Sequence, residues 1–417
     1  MSALRLSENL MPLLMLMHID PILATAEQFG LGEKVDISLV DHEAVFIRSA
    51  QQNWQVVFNA HHQDQSSDVL LRVLDQWLAP YPSLDEIKQK VLNEPQLVVS
   101  GLPVADGFVD LWHHNGKVEM TFCHHLGANE PHRAMLLAAL ALDYPLQDAC
   151  VLARAYARRY LDQDRDRLLH WPDCLTLFPR VVTRTHEQAL TLLGEQSSPV
   201  CFESVNREDF TLYAVVDSAT WIDKVLSCGV TTAQLRIKES ATTDLTTQIS
   251  QAVNSGHTYH SQVFINDYWQ QAIEAEAFGV HLGQEDLDTA DLTMIAQAQL
   301  RLGISTHGYY EILRAIELKP SYIALGHVFA TTTKEMESSP QGVVRLALYQ
   351  KLLTSVVPTV AIGGIDLTNI EQVLRCEVDS VAVVRAITQA ENVEEAIKRL
   401  KEKIDLYRGG LDDAIVN

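Results

Sequence analysis

From about residue 208 onward, short β-prone runs alternate with helix-length runs, eight of each within about 200 residues, and few folds accept that count. Strands are expected at Thr211–Val216, Thr232–Ile237, Val263–Asn266, Gly279–Leu282, Leu300–Ser305, Tyr322–Gly326, Thr359–Ile362 and Ser380–Val384. Several are apolar at successive rather than alternate positions, as strands buried on both faces of a parallel sheet must be. Helices are expected at Trp221–Cys228, Asp244–Asn254, Trp269–Ala277, Leu292–Ala298, Tyr310–Leu318, Val343–Thr354, Asn369–Cys376 and Val393–Leu406. A closed (β/α)8 TIM barrel fits this count, with an open doubly wound sheet as the competitor.

A chain of 417 residues is too long for one ordinary domain. The expected fold class is α/β: a smaller α/β domain over residues 1–200, then the barrel over 208–408. In the first part, Val69–Leu78, Ser83–Leu92, Met135–Leu142 and Leu146–Tyr160 read as helices. Gln96–Ser100, Phe108–His113 and Val118–Phe122 read as strands, and Trp171–Gln196 as a connection with a helix-like Thr185–Leu193 inside it.

The formal net charge of -22 argues against non-specific binding of nucleic acid or an anionic membrane. It does not exclude an anionic small molecule, because a local site in an acidic protein can be positive. The six cysteines include no C-x-x-C pair, which fits a reduced, cytoplasmic setting. The apolar run Leu10–Met17 is shorter than a membrane span and is flanked by Glu8 and Asp20. Three His-His pairs, His61-His62, His113-His114 and His124-His125, would point their side chains to opposite sides of a strand, which does not suit a metal site.

The chemistry gathers at the expected strand ends. Asp267 and Asp286 fall just past the third and fourth barrel strands, beside Asn266 and Gln284. In a parallel α/β protein such ends share one rim, and two carboxylates there suit Mg2+ and, through it, a diphosphate. The plainer reading is that Asp286 or Asp288 caps a helix. Gln234, Arg236 and Lys238 alternate along the second strand and share a side, so the two cations can hold a phosphorylated ligand, unless they pair with Asp267 or Glu285. Thr331, Thr332, Thr333 and Lys334 follow the sixth strand; Gly363-Gly364 and Val384-Arg385 follow the seventh and eighth. Hydroxyls and glycine backbone N–H groups at these loops are natural phosphate ligands. The rim therefore offers two anion sites, which favours two phosphorylated substrates.

These residues closely resemble those of the thiamine phosphate synthase family. The resemblance spans about residues 208–405 and rests on QLRIK, FINDYW, GVHLGQEDL, GISTHG, IALGHVFATTTK, PQG and VAIGGI, in that order. It implies an enzyme of thiamine biosynthesis that joins hydroxymethylpyrimidine diphosphate to a thiazole phosphate and releases pyrophosphate, on a (β/α)8 barrel. It implies that Gln234, Arg236, Lys238, Asn266, Ser305 and Lys334 contact the pyrimidine diphosphate. By the same resemblance Asp267 and Asp286 hold Mg2+, and Thr331, Thr333, Gly364, Val384 and Arg385 contact the thiazole phosphate. Arg236, Lys238, Lys334 and Ser305 are the expected catalytic set. Two positions depart from the family: Arg385 stands where Ser is frequent, and Ala330 where Pro is frequent.

The stretch from Gly101 to Tyr160 resembles the C-terminal part of a hydroxymethylpyrimidine phosphate kinase, a ribokinase-like fold. That family carries a Gly-Thr-Gly-Cys turn at a helix N-terminus. Here only Gly127 is kept, and Glu130, Pro131 and His132 replace the rest. A carboxylate at that place competes with phosphate for the positive helix end, so a degenerate, non-catalytic domain is expected. The alternatives are a bifunctional kinase-synthase, a thiamine phosphate sensor, and a Schiff-base aldolase using Lys238 or Lys334. The expected partners are small molecules and another copy of the chain, with no nucleic acid and no membrane.

Overall fold

A computed structural model describes residues 11–31, 36–39, 44–59, 69–77, 79–159, 171–182, 200–238, 244–331 and 339–415. The chain divides into two compact units, Met1–Glu195 and Gln196–Asn417.

The first unit opens with α1 (Met11–Phe29), which the sequence reading treated only as an apolar run. Among the described residues, no helix is long and apolar enough to cross a membrane. An eight-stranded sheet follows in chain order: β1 (Asp36–Leu39), β2 (Ala44–Arg48), β3 (Asn53–Phe58), β4 (Val69–Leu74), β5 (Leu97–Val104), β6 (Gly107–His114), β7 (Lys117–Cys123) and β8 (Arg180–Val181). β3, β4 and β5 pair in parallel; the other neighbours are antiparallel. The helices are α2 (Leu84–Asn93), α3 (Asn129–Ala141) and α4 (Leu146–Arg159).

Two expectations fail in this unit. Val69–Leu78 was read as a helix, but its first six residues form β4. β4 lies between two parallel neighbours, so it is apolar almost throughout, and such a run carries no period that separates strand from helix. Trp171–Gln196 was read as a connection, yet Arg180–Val181 pairs with β7 and extends the sheet. Thr185–Leu193 and His61-His62 lie outside the described residues.

α2 starts where local chemistry requires. Ser83 accepts from the Glu86 N–H while Glu86 accepts from the Ser83 N–H, a reciprocal cap. Its buried Ile87 and Val91, one turn apart, pack on Val99, Val109 and Leu111 of the sheet.

The second unit is a closed barrel of eight parallel strands, and the open sheet is not adopted. The strands are β9 (Leu212–Val216), β10 (Thr232–Leu235), β11 (Gln262–Asn266), β12 (Gly279–Leu282), β13 (Arg301–Thr306), β14 (Tyr322–Gly326), β15 (Thr359–Ile362) and β16 (Ser380–Val383). β16 pairs back on β9 and closes the ring. The helices are α5 (Ala219–Ser227), α6 (Leu245–Thr258), α7 (Trp269–Glu274), α8 (Leu292–Gln297), α9 (Tyr309–Glu317), α10 (Gly342–Leu353), α11 (Ile370–Leu374), a short α12 (Arg385–Thr388) and α13 (Val393–Ile415). Ser218 and Asp291 cap α5 and α8 by accepting backbone N–H groups.

The barrel interior is filled, as this architecture demands. Tyr213, Val215, Phe264, Tyr322, Ala324, Val360 and Ala382 form its core, with Phe210 and Val205 below. Gly303 makes room for one of them: a Cβ there would sit 2.1 Å from the Tyr322 ring. The small residue on β13 thus lets a large one on β14 turn inward.

Candidate active site

All the expected site residues that are described lie at or just beyond the C-terminal ends of barrel strands. Gln234 is inside β10 and buried; Arg236 lies one residue past it, half-buried, and Lys238 two further on, exposed. The strand is two residues shorter than expected, so both cations sit in the loop rather than on the sheet. Arg236 keeps its backbone fixed by donating from its N–H to the Val216 carbonyl at 2.7 Å. Its guanidinium makes no ion pair or hydrogen bond with any described residue, so the pairing with Asp267 or Glu285 is not made.

Asn266 ends β11 opposite His281 of β12, and Asp267 follows it. The Asp267 backbone is left-handed, at φ 65°, and its N–H donates to the His281 carbonyl at 3.0 Å. Aspartate tolerates this region better than most residues. The turn lets the exposed Asp267 follow β11 directly before α7 begins. Asp286 opens a short 3₁₀ turn after β12, and its Oδ2 accepts from the Gly283 N–H at 3.0 Å. The carboxylate therefore closes its own loop through one oxygen and does not cap the following helix, which Asp291 caps instead, so the plainer reading of Asp286 and Asp288 as helix caps is not met. Asp288 is taken by Arg314 at 2.5 Å, and Arg314 also reaches Gln284.

No group of three or more His, Cys, Asp or Glu close enough for a metal occurs among the described residues. Asp267 and Asp286 follow neighbouring strands and, among the described residues, gain no third acidic or imidazole ligand, so a cation held there would have to keep several waters and take its other oxygens from a substrate. Mg2+ has that habit; a four-ligand zinc site does not.

The barrel throat holds a hydrogen-bonded chain that sequence reasoning missed. Gln234 Nε2 donates to the Tyr213 hydroxyl at 3.2 Å, which meets the Tyr322 hydroxyl at 2.8 Å. Tyr322 bonds His281 Nδ1 at 2.7 Å, and His281 Nε2 bonds Ser305 Oγ at 2.8 Å. Gln284 then donates to the Ser305 carbonyl at 2.7 Å. Burial pushes both phenols well up from their ordinary value, so they stay protonated. Gln234 and Ser305, far apart in sequence, are thereby fixed as the two ends of one network. Its signal was present in GVHLG: a histidine inside a strand otherwise wholly apolar, at a position facing the barrel axis.

Beyond β14 and β15 the backbone itself forms the wall. Val328 N–H donates to the Ile362 carbonyl and Phe329 N–H to the Gly363 carbonyl. Gly363 and Gly364 have φ of 109° and 65°, and Cβ atoms there would lie 2.4 Å from His327 and 2.7 Å from the Ala330 carbonyl. Thr331 is half-buried beside this wall; Thr333 and Lys334 lie outside the described residues. Val384 precedes α12 and Arg385 begins it, both half-buried. All six cysteines are free.

Residues 212–387 match a family model described as thiamine monophosphate synthase. The thiamine-phosphate synthase of Serratia proteamaculans is 54% identical over 194 residues, covering 46% of this chain and 91% of that protein. That of Cronobacter sakazakii is 53% identical over 191 residues, covering 46% and 90%. Among solved structures, a thiamine phosphate pyrophosphorylase from Pyrococcus furiosus is 29% identical, with 48% of this chain and 98% of that one covered and a TM-score of 0.43.

Proposed function

Because the chain belongs to the thiamine-phosphate synthase family of transferases, we propose that its barrel joins hydroxymethylpyrimidine diphosphate to hydroxyethylthiazole phosphate, or its carboxylate, and releases pyrophosphate. The observation that carries this is Arg236. A half-buried guanidinium without a described counter-ion, at a mouth that also presents Asp267, Asp286 and Asn266, is set for a ligand with more than one negative charge.

In this reading the carbon–oxygen bond to the diphosphate breaks first, and pyrophosphate leaves with the electron pair. The pyrimidine ring amino group spreads the positive charge left on the methylene carbon. The thiazole nitrogen lone pair then forms the new carbon–nitrogen bond. The chain needs little acid–base chemistry for this. Arg236 and Lys238 neutralise charge that grows on the departing oxygens, and Lys334 is assigned the same task from the sequence. Gln234 and Ser305, locked through Tyr213, Tyr322 and His281, orient the ring. The packed aromatic floor below them keeps water away from the carbocation. Mg2+, which Asp267 and Asp286 would hold, would supply further neutralisation of the diphosphate.

Purified protein given both phosphorylated precursors and Mg2+ is expected to release pyrophosphate, and no release would end the proposal. Lys334→Ala is expected to slow the saturated rate at least about tenfold, as loss of one charge contact strengthened in the transition state should.

For the first unit the proposal is a kinase-like remnant without catalysis. Gly127 sits so tightly against α4 that a Cβ would lie 2.3 Å from the Ala157 carbonyl, and Glu130 occupies the first turn of α3. ADP formation from ATP and hydroxymethylpyrimidine phosphate would reverse that reading in favour of a bifunctional enzyme.

A further inference from the structure

Gln341, of the PQG motif, has no task in the mechanism above. It is buried, at 8% exposure, and neither its Nε2 nor its Oε1 meets a hydrogen-bond partner. Buried amides are nearly always satisfied, because an unmade bond leaves the full desolvation penalty. The backbone around it is held firmly. Gln341 N–H donates to the His327 carbonyl at 3.0 Å and Gly342 N–H to the Val328 carbonyl at 2.9 Å. The same 327–329 segment bonds Ile362 and Gly363 on its other edge. Gln341 therefore hangs on the ladder that joins the mouths of β14 and β15.

A second observation concerns α10. This helix of twelve residues begins right after Gln341, whose side chain makes no capping hydrogen bond to its first turn. Gly342, at φ 69°, turns the chain into it, and nothing lies within 4 Å of where a Cβ would be, so backbone conformation rather than crowding calls for glycine. The positive end of α10 and the unsatisfied amide thus occupy one place. Both favour an anion, and the Gln341 side chain does not itself occupy that end as a cap.

We propose that Gln341 is a binding residue for the phosphate of the thiazole substrate, its Nε2 donating to a phosphate oxygen at the N-terminal end of α10. The inference rests on the synthase reading and deepens it by giving the thiazole phosphate a ligand that the threonine and glycine loops do not supply. In the free chain the amide is unsatisfied, so ligand binding relieves a penalty that is already present.

The test is steady-state pyrophosphate release by wild type, Gln341→Leu and Gln341→Met, with each substrate varied in turn. Both variants keep the shape and remove the polar atoms. They are expected to melt no lower than wild type, to raise KM for the thiazole phosphate about tenfold, and to leave KM for the pyrimidine diphosphate unchanged. Gln341→Glu, which sets a carboxylate against the phosphate, is expected to raise that KM further. An unchanged KM for the thiazole phosphate in Leu and Met variants alike, or an equal rise for both substrates, would overturn the assignment. A wild-type protein that releases no pyrophosphate would instead bring down the synthase reading itself.

Discussion

In the first unit Arg154 meets both oxygens of Asp110, at 2.6 and 2.9 Å, and Arg133 meets both oxygens of Asp75, at 2.7 and 2.6 Å. In the barrel Arg236 meets no described carboxylate at all. Arg133 reaches its partner just past the end of the parallel strand β4, where Asp75 stands, much as Arg236 stands just past β10, while Arg154 meets Asp110 inside β6. The first unit fills that place with its own counter-ions. Ser100, the Gly101 N–H and Arg154 all donate to Asp110, and Asn59 donates to Asp75. Burial alone would raise both carboxyls; the arginines and these donors hold them below the usual carboxylate range. A set of charges that satisfies itself has nothing left for a ligand, whereas a rim where the Arg236 guanidinium meets no described carboxylate and Asp286 engages one oxygen does. Strand-end position alone therefore does not mark a site; the state of pairing does.

The comparison is sharpest if broken from the first unit. Arg154→Met leaves Asp110 charged and buried without its counter-ion, and should destabilise that unit by about 3–5 kcal/mol without changing the synthase rate of surviving folded protein. Pairing it with Asp110→Leu should regain most of the loss. Denaturant unfolding of the single and double variants checks both, and additive losses would mean that the two residues are not a unit.

Arg236→Ala should behave in the opposite way. No counter-ion is orphaned, so the melting temperature should stay within a degree or two, while kcat/KM falls about 100-fold, or about 2.7 kcal/mol of transition-state stabilisation. A drop in stability with little loss of rate would make Arg236 a structural residue and dissolve the contrast.

Acid should separate the units next. Burial, reinforced by the charge of Arg154, drives His132 down to about 3 from an ordinary value of 6.5, while Asp110 and Asp75 pull the other way. Below pH 6.5 the unfolded chain binds a proton that folded His132 refuses, so stability falls with pH by up to about 1.4 kcal/mol per unit. Asp75 and Asp110, whose folded values are depressed, add stability that is present above about pH 3.8 and is lost as pH drops through those lower values. Calorimetry between pH 7 and pH 4 should show the first unit's transition moving down. A flat transition would mean that His132 is not buried in its neutral form.

The smallest effect tests the rim's backbone. Asp267→Asn and Asp267→Ala both remove the proposed Mg2+ ligand and should both depress the rate at low Mg2+. Only Ala also meets the left-handed strain, and it should melt with about 1 kcal/mol less stability than Asn. Equal stability of the two would show that the turn relaxes once the carboxylate is gone.

The sequence by itself determined the alternation of strands and helices. A strand buried on both faces must be apolar at successive positions, so strands such as Val263–Asn266 and Tyr322–Gly326 were legible to within a residue, while the choice of a closed barrel over an open sheet came from β16 pairing back on β9. It also put Asp267, Asp286 and the glycine pair at strand ends, because those are local facts about where an apolar run stops. Tertiary structure alone decided which polar residues meet. That Gln234 and Ser305 are joined through Tyr213, Tyr322 and His281 depends on side chains from five strands converging inside a ring, a distance no local pattern encodes. The same holds for Val69–Leu74, whose strand character comes from its parallel neighbours, and for Arg236 against Arg154. Both are arginines beside apolar runs, and only the fold settles which of them finds a carboxylate within reach.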